Sequence, residues 1–224
     1  TFVSVGNSIS INFAERVEII YGPASAMYGA DAFAGIINII TQDIPEGKEA
    51  YFQAEYGSFN SKDLLISLKG TVKSKLKLFG QFRLFHSDGP DLSHIHTLFN
   101  IIEQYQAPLN KKFEQPINDH NVFLKAIYRD LEIAYFRQKF NEGNAWGFTP
   151  EIYIYSKKNK WEFSTDILYG KYEKDMGENG VLNFNVSYKN MKLEPESNFF
   201  KWVVPGVTDS TFRQYMTGAD QSYN

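Results

Sequence analysis

From residue 50 onward, apolar and polar side chains alternate with a period of two, the pattern of β-strands with one apolar and one wet face. Residues 50–57 set Phe52, Ala54 and Tyr56 against Gln53 and Glu55. Residues 62–73 set Leu64, Ile66, Leu68 and Val72 against Ser67, Lys69 and Thr71, and residues 75–87 set Leu76, Leu78, Phe82 and Leu84 against Lys77, Gln81 and Arg83. Residues 121–129 repeat this with Val122, Leu124, Ala126 and Tyr128, and residues 131–141 with Leu131, Ile133 and Tyr135. Residues 151–157 and 160–172 read as a hairpin across Lys157–Lys160, its second strand presenting Trp161, Phe163, Thr165, Ile167 and Tyr169 on the apolar side. The rhythm is clearest at 181–191, where Leu182, Phe184, Val186 and Tyr188 oppose Asn183, Asn185, Ser187 and Lys189. A soluble sandwich and a membrane barrel both show this alternation, so periodicity leaves the two open.

Connection lengths add a second pattern. Short turns are expected at 73–75, 129–130, 157–160 and 194–197, with longer connections at 88–119 and 142–150. Short and long connections would then alternate along the chain, as in barrels with tight turns at one rim and extended loops at the other. That parity requires residues 198–204 to form a ninth strand, and it places 58–61 and 174–180 on the long-loop side. Within 88–119, Ile95, Leu98, Phe99, Ile102 and Tyr105 recur at helical spacing, with Asp91 or Ser93 as cap and Pro108 as terminator.

The opening stretch differs. Val17 and Ile19, and then Ile36 to Ile40, are β-branched and read as two strands covered on both faces. Between them Gly22-Pro23 ends the first strand, Pro23 opens a helical turn over Ala24, Ala26 and Met27, and Gly29 and Gly35 permit sharp turning or close approach. Asn38 inside the second strand is expected to satisfy a buried polar contact. Residues 44–49, Ile44-Pro45-Glu46-Gly47-Lys48-Glu49, form a turn-rich link.

Composition sharpens the picture. Phe and Tyr are abundant, 19 and 14 residues, yet the chain is hydrophilic on average and holds no run of the roughly 18 to 20 apolar residues a spanning helix needs. The formal net charge is −3, with charges scattered, which argues against nucleic acid as a partner. Cysteine is absent, so disulfides and thiolate metal sites are excluded.

Little in the chain reads as catalysis. Ser25 lies in Gly-Pro-Ala-Ser-Ala rather than Gly-X-Ser-X-Gly, and no phosphate-cradling glycine loop is present. His94 and His96 are candidates to contact a bound ligand such as a metal chelate, but their two-residue spacing does not bring them to one helical face, so no metal site of their own is expected. His86 and His120 flank the same long connection and are candidates for a ligand mouth. Tyr105, Trp146 and Phe148 could stack on an aromatic ligand. For each of these, ordinary loop packing or solvation is the competing role.

One string is far more specific than any of these. Glu15-Arg16-Val17-Glu18-Ile19-Ile20-Tyr21-Gly22-Pro23-Ala24-Ser25-Ala26-Met27-Tyr28-Gly29, followed by Gly35-Ile36-Ile37-Asn38-Ile39-Ile40-Thr41, resembles the end of the plug domain of TonB-dependent outer-membrane receptors. Tyr21 departs from the family, where arginine often precedes Gly-Pro. Gly-Pro-Ala-Ser-Ala resembles the siderophore and cobalamin branch rather than the glycan importers. The resemblance implies an all-β chain: residues 1–45 as the C-terminal part of a plug, and 46–224 as the first part, about nine strands, of a transmembrane antiparallel barrel that in the family has about 22. It also implies an internal piece of a longer, non-enzymatic receptor.

By the same resemblance, Glu15, Arg16 and Glu18 would contact the barrel wall, and Gly22, Pro23, Gly29, Gly35 and Asn38 would shape the plug backbone. The implied function is energised uptake of a scarce chelate, foremost a ferric siderophore, across the bacterial outer membrane. Cobalamin, haem, a glycan or a peptide are alternative cargoes. The implied partners are outer-membrane lipid and the TonB complex, the latter through a segment outside this chain. No resident cofactor is implied; the iron–siderophore complex would be the ligand. A passive channel and a soluble β-domain remain as rivals.

Overall fold

The computed structural model describes residues 10–22, 35–72, 75–90, 116–143, 153–154, 160–197 and 201–202. Two strands open the chain, β1 (Ala14–Tyr21) and β2 (Gly35–Thr41), paired antiparallel as a hairpin of their own. A seven-stranded antiparallel sheet follows: β3 (Lys48–Gly57), β4 (Ser61–Thr71), β5 (Leu76–Ser87), β6 (Ile117–Tyr128), β7 (Leu131–Gly143), β9 (Lys160–Asp175) and β10 (Val181–Leu193). Two-residue strands β8 (Tyr153–Ile154) and β11 (Lys201–Trp202) pair with each other. Among the described residues the only helical element is one 3-10 turn at Gly177–Asn179. The fold is all-β and antiparallel throughout.

Each sheet strand pairs with its neighbour in sequence once β8 is set aside, so the sheet is a meander. Its registers carry the alternation from strand to strand. Leu68 lies opposite Gly80, Gly80 opposite Leu124, Leu124 opposite Tyr135, Tyr135 opposite Leu168, and Leu168 opposite Tyr188. This face leaves Phe52, Ile66, Leu124, Ile133, Phe184 and Val186 exposed. A contiguous exposed apolar surface of this size needs a covering medium or partner.

Three sequence expectations change here. The hairpin of 151–157 with 160–172 is not formed: β9 pairs with β7 on one side and β10 on the other, while Tyr153 and Ile154 meet Trp202 and Lys201. The register places the even residues of β9 on the apolar face, because Leu168 faces Tyr135 and Gly170 faces Ile133. Ile167 and Tyr169 therefore turn inward, and the first half of the outward row is Glu162, Ser164 and Asp166 rather than aromatics. Pairing β7 directly with β9 also resets the parity of the connections. The turns at 72–75, 129–130 and 176–180 share one rim, and the connections 88–116 and 144–159 lie at the other, with no ninth sheet strand required.

Other differences are smaller. β6 begins at Ile117, so the long connection ends earlier than 119. The helical pattern at 91–108 and the Pro23-to-Gly29 turn lie outside the described residues. The two opening strands, expected to be covered on both faces, leave Ile19, Tyr21 and Ile37 exposed, because β1 and β2 form only a two-stranded ribbon. Gly35 approaches closely: a Cβ there would lie 2.8 Å from the Ile20 carbonyl oxygen. Gly22 has φ 102°, a conformation that costs glycine little as the chain leaves β1.

Candidate functional site

The hairpin meets the sheet on the face opposite the apolar one. That face was expected to be polar, and Gln81, Asn121, Lys125 and Gln138 do occupy it. Several aromatics interrupt this polar face, and Phe79, Phe123 and Phe136 lie side by side among them. Together they make a socket. Phe13, just before β1, enters it and stacks on Phe123 with ring centroids 4.4 Å apart and planes 9° apart. Phe136 lies 5.4 Å from the same ring, and Phe79 packs its edge on Phe123 at 5.2 Å. Phe13 is 6% exposed, and Ile44 from the link and Ala134 from β7 complete the cluster.

Polar contacts flank this socket. Lys125 Nζ donates to Thr41 Oγ1 at 2.7 Å and pairs with Glu132 at 3.4 Å. The Tyr169 hydroxyl donates to Glu132 Oε1 at 2.8 Å and also meets Thr41. Lys69 Nζ donates to Gln42 Oε1 at 3.1 Å, while the Gln42 backbone N–H donates to the Phe13 carbonyl at 2.9 Å. The end of β2 is thus tied to β4, β6 and β9. Below it, the Thr71 hydroxyl donates to the Pro45 carbonyl at 2.8 Å, holding the link against β4. Beside the socket a cleft of about 700 Å³ opens between Asn12 and Gln42 on one side and Tyr51, Ser67 and Gln81 on the other.

The charges singled out from sequence sit elsewhere. Arg16 Nε donates to Glu18 Oε1 at 2.9 Å, and Arg16 lies 3.7 Å from Glu15. Asn38 Nδ2 donates to Glu18 Oε2 at 3.0 Å, across the β1–β2 ladder. These hydrogen bonds hold the Glu18 carboxyl below its ordinary range and the Arg16 guanidinium above its own. The three charges brace the hairpin, and among the described residues the contacts with the seven-stranded sheet come from Phe13, Thr41, Gln42 and Ile44.

His86 and His120 belong to the outward-facing rows of β5 and β6, where His86 Nδ1 meets Asn118 Oδ1 at 2.7 Å. The structure does not bring them to the inner wall. Tyr105, Trp146, Phe148, His94, His96, Pro23 and Gly29 lie outside the described residues. Sequence reasoning missed the socket, though a signal was present. Phe79 stands between Lys77 and Gln81, and Phe123 between Asn121 and Lys125, each breaking a run of polar residues in its row.

Residues 2–36 match the family described as TonB-dependent Receptor Plug Domain. The opening of the chain carries a TonB-dependent receptor plug domain. Half of it, 115 residues, is 33% identical to the vitamin B12 transporter BtuB of Vibrio vulnificus (strain CMCP6) and covers 18% of that protein. The chain therefore spans about a fifth of the length of this relative. The crystal structure of the ferric yersiniabactin uptake receptor FyuA from Yersinia pestis superposes with TM-score 0.46 and 22% identity, covering 78% of this chain and 28% of that one. The match takes in Phe13, β1 and the first two residues of β2, so the socket is where this plug segment meets the sheet.

Proposed function

We propose that this chain supplies the last part of the plug and the adjoining wall of an outer-membrane receptor that imports a scarce metal chelate with energy delivered through TonB. The observation that carries the reading is the Phe13 socket: a plug residue seated on the inner face of a sheet whose other face is exposed and apolar. An apolar outer face beside a polar, plug-bearing inner face is the division expected of a wall between lipid and a wet lumen. On β5 the outward apolar row runs from Leu76 to Leu84, about 26 Å of strand at about 3.3 Å per residue. A strand tilt of about 40° reduces this to about 20 Å, close to the belt of an outer-membrane barrel.

The plug-to-wall boundary falls in residues 42–47, between β2 and β3. The wall is proposed to continue beyond these seven strands until it closes in the outer membrane. Transport rather than catalysis is the role, with the TonB complex, membrane lipid and the chelate as partners. A ferric siderophore is the cargo proposed first. A corrinoid is the second reading, favoured by the likeness to a vitamin B12 transporter. Deleting the whole gene and measuring growth on a panel of ferric siderophores, and separately on limiting vitamin B12, separates the two. Loss of growth on one siderophore supports the first reading, and loss on the vitamin alone supports the second. Unchanged growth and unchanged uptake of every chelate would overturn both.

A further inference from the structure

Phe13 covers only part of the row on which it sits. Across the inner face of the sheet that row reads Tyr51, Ser67, Gln81, Phe123 and Phe136. The Phe13 ring takes the two phenylalanines, and the cleft of about 700 Å³ opens over the other three. That size falls within the range of about 300–1,000 Å³ common to small-molecule sites. Asn12 and Gln42, which flank the β1–β2 hairpin, form one side of the cleft, so it exists only while the hairpin is seated.

The wall presents donors to this cleft. Gln81 lines it and is 4% exposed, yet the Gln81 Nε2 finds no acceptor among the described residues. A buried donor without a partner costs stability, and native folds leave few of them. Ser67 stands beside it in the row and is buried as well. One row nearer the short-turn rim, Lys69 Nζ donates to Gln42 Oε1 at 3.1 Å and pairs with Glu49 at 3.2 Å. An ammonium carries three N–H groups, so these two partners leave a third. Lys48 adds a second cation to the lining, against the single carboxylate of Glu49. On the open side Tyr51 donates its hydroxyl to Gln53 Oε1 at 2.7 Å and leaves its ring exposed for stacking. Donors, a surplus of positive charge and one aromatic face define their ligand by complement. We infer that this uncovered part of the row is a station for an anionic, oxygen-rich metal chelate, held beside the seated plug by Gln81, Ser67 and Lys69. Carboxylate, catecholate or hydroxamate oxygens supply the acceptor that the Gln81 amide lacks. The inference rests on the transport reading above.

The test uses the full receptor, purified in detergent, with a trifluoromethyl label on Gln53→Cys at the edge of the cleft and ferric EDTA as the probe. Ferric EDTA is anionic and paramagnetic and offers carboxylate oxygens alone. Fluorine relaxation at the label should rise to saturation as the probe is added, and excess diamagnetic gallium EDTA should reverse it. Gln81→Leu, which removes the donor, should raise the apparent Kd about tenfold, the loss of one charged hydrogen bond, and Gln81→Glu should raise it further. Both substitutions leave the tie from Lys69 to Gln42 in place, so protection of the Gln42 amide reports that the hairpin is still seated. Asn185→Asp, a similar change of charge elsewhere on the inner face, should stay within about twofold. Relaxation that grows linearly and ignores gallium EDTA overturns the inference, as does a Kd that neither Gln81 substitution moves. Equal competition by hexaamminechromium(III), a cation with N–H donors alone, overturns it too. Growth of the deletion strain separates the two levels. If growth on a chelate is lost while the label reads only collisions, the station falls and the transport reading stands; saturable binding with growth and uptake of every chelate unchanged overturns the transport reading.

Discussion

Replacing Phe13 by alanine tests the socket by removing its central side chain. The ring is almost fully buried, stacked on Phe123 and tilted against Phe136. Phe→Ala at such a site costs about 3–5 kcal/mol, of which each ring–ring contact contributes about 0.5–1.5 kcal/mol. The loss should fall on local opening of the plug base rather than on the wall, whose ladders are untouched. The Gln42 amide is the reporter, since it donates to the Phe13 carbonyl and is protected only while the seat is closed. Hydrogen exchange on the full receptor in nanodiscs should show that amide exchanging roughly a hundredfold to a few thousandfold faster, with amides of β5 and β6 unchanged. Phe123→Ala should produce a related loss, and the two substitutions together should cost less than their sum by about 0.5–1.5 kcal/mol. Gln42 exchange within about threefold of the unaltered receptor, or full additivity of the pair, would refute the socket as the hold on the plug.

Further outcomes follow from the same geometry. Val186→Arg, outward and 58% exposed, should cost roughly 2–4 kcal/mol in urea-driven refolding into vesicles, whereas Asn185→Arg on the lumen side should cost far less. Lys125→Met strips Glu132 and Thr41 of a shared partner and should lower plug stability by about 1–3 kcal/mol; adding Thr41→Val should cost little more, a point a thermodynamic cycle on the Gln42 amide can check. Gly70→Ala would place a Cβ 2.4 Å from the Gly47 carbonyl oxygen and 2.8 Å from Lys48 Cα, so the link must shift. A loss of about 1–3 kcal/mol is expected, against a near-neutral Gly57→Ala, where the nearest neighbour is 3.8 Å away. Glu18 should titrate below an ordinary glutamate, because Arg16 and Asn38 hydrogen-bond its charged form. The support it lends the hairpin is complete above the ordinary carboxylate range and is lost as pH falls through the lowered value; Arg16→Gln should raise that value in a carbon-detected titration.

Strands with a clean alternation were readable from the chain itself. β3 to β7 and β10 fall where two-residue periodicity puts them, and the alternating apolar rows share the face assigned to them. β9 shows why periodicity can mislead. Trp161, Phe163, Ile167 and Tyr169 form an apolar row, yet Phe163 packs with Phe140 at 6.3 Å on the inner side and Tyr169 serves the polar ring around Thr41. Both faces of that strand hold apolar residues, and only its register with β7 decides between them. The partner of β9 was unreadable for a related reason: Lys157–Lys160 resembles a turn, but pairing over the length of β7 satisfies far more backbone groups than a short hairpin could.

The site was less readable than the fold. Charges drew the eye to Glu15, Arg16 and Glu18, which satisfy one another and Asn38 within the hairpin. Phe13 lies ahead of the recognisable string, in a stretch with no periodicity of its own, and its value depends on three rings from strands far along the sequence. A long-range contact of that kind leaves only an indirect trace: the aromatics that interrupt a polar row.

The chain contains no cysteine, so single spin labels can be placed along β10 one at a time. Oxygen, which concentrates in lipid, and a water-soluble nickel chelate should alternate as the better relaxing agent from Leu182 to Lys189 in the bilayer-embedded receptor. Oxygen should dominate at 182, 184, 186 and 188, and nickel at 183, 185, 187 and 189. Nickel access at every one of these positions, or no period of two, would contradict a sheet that faces lipid on one side and the plug on the other.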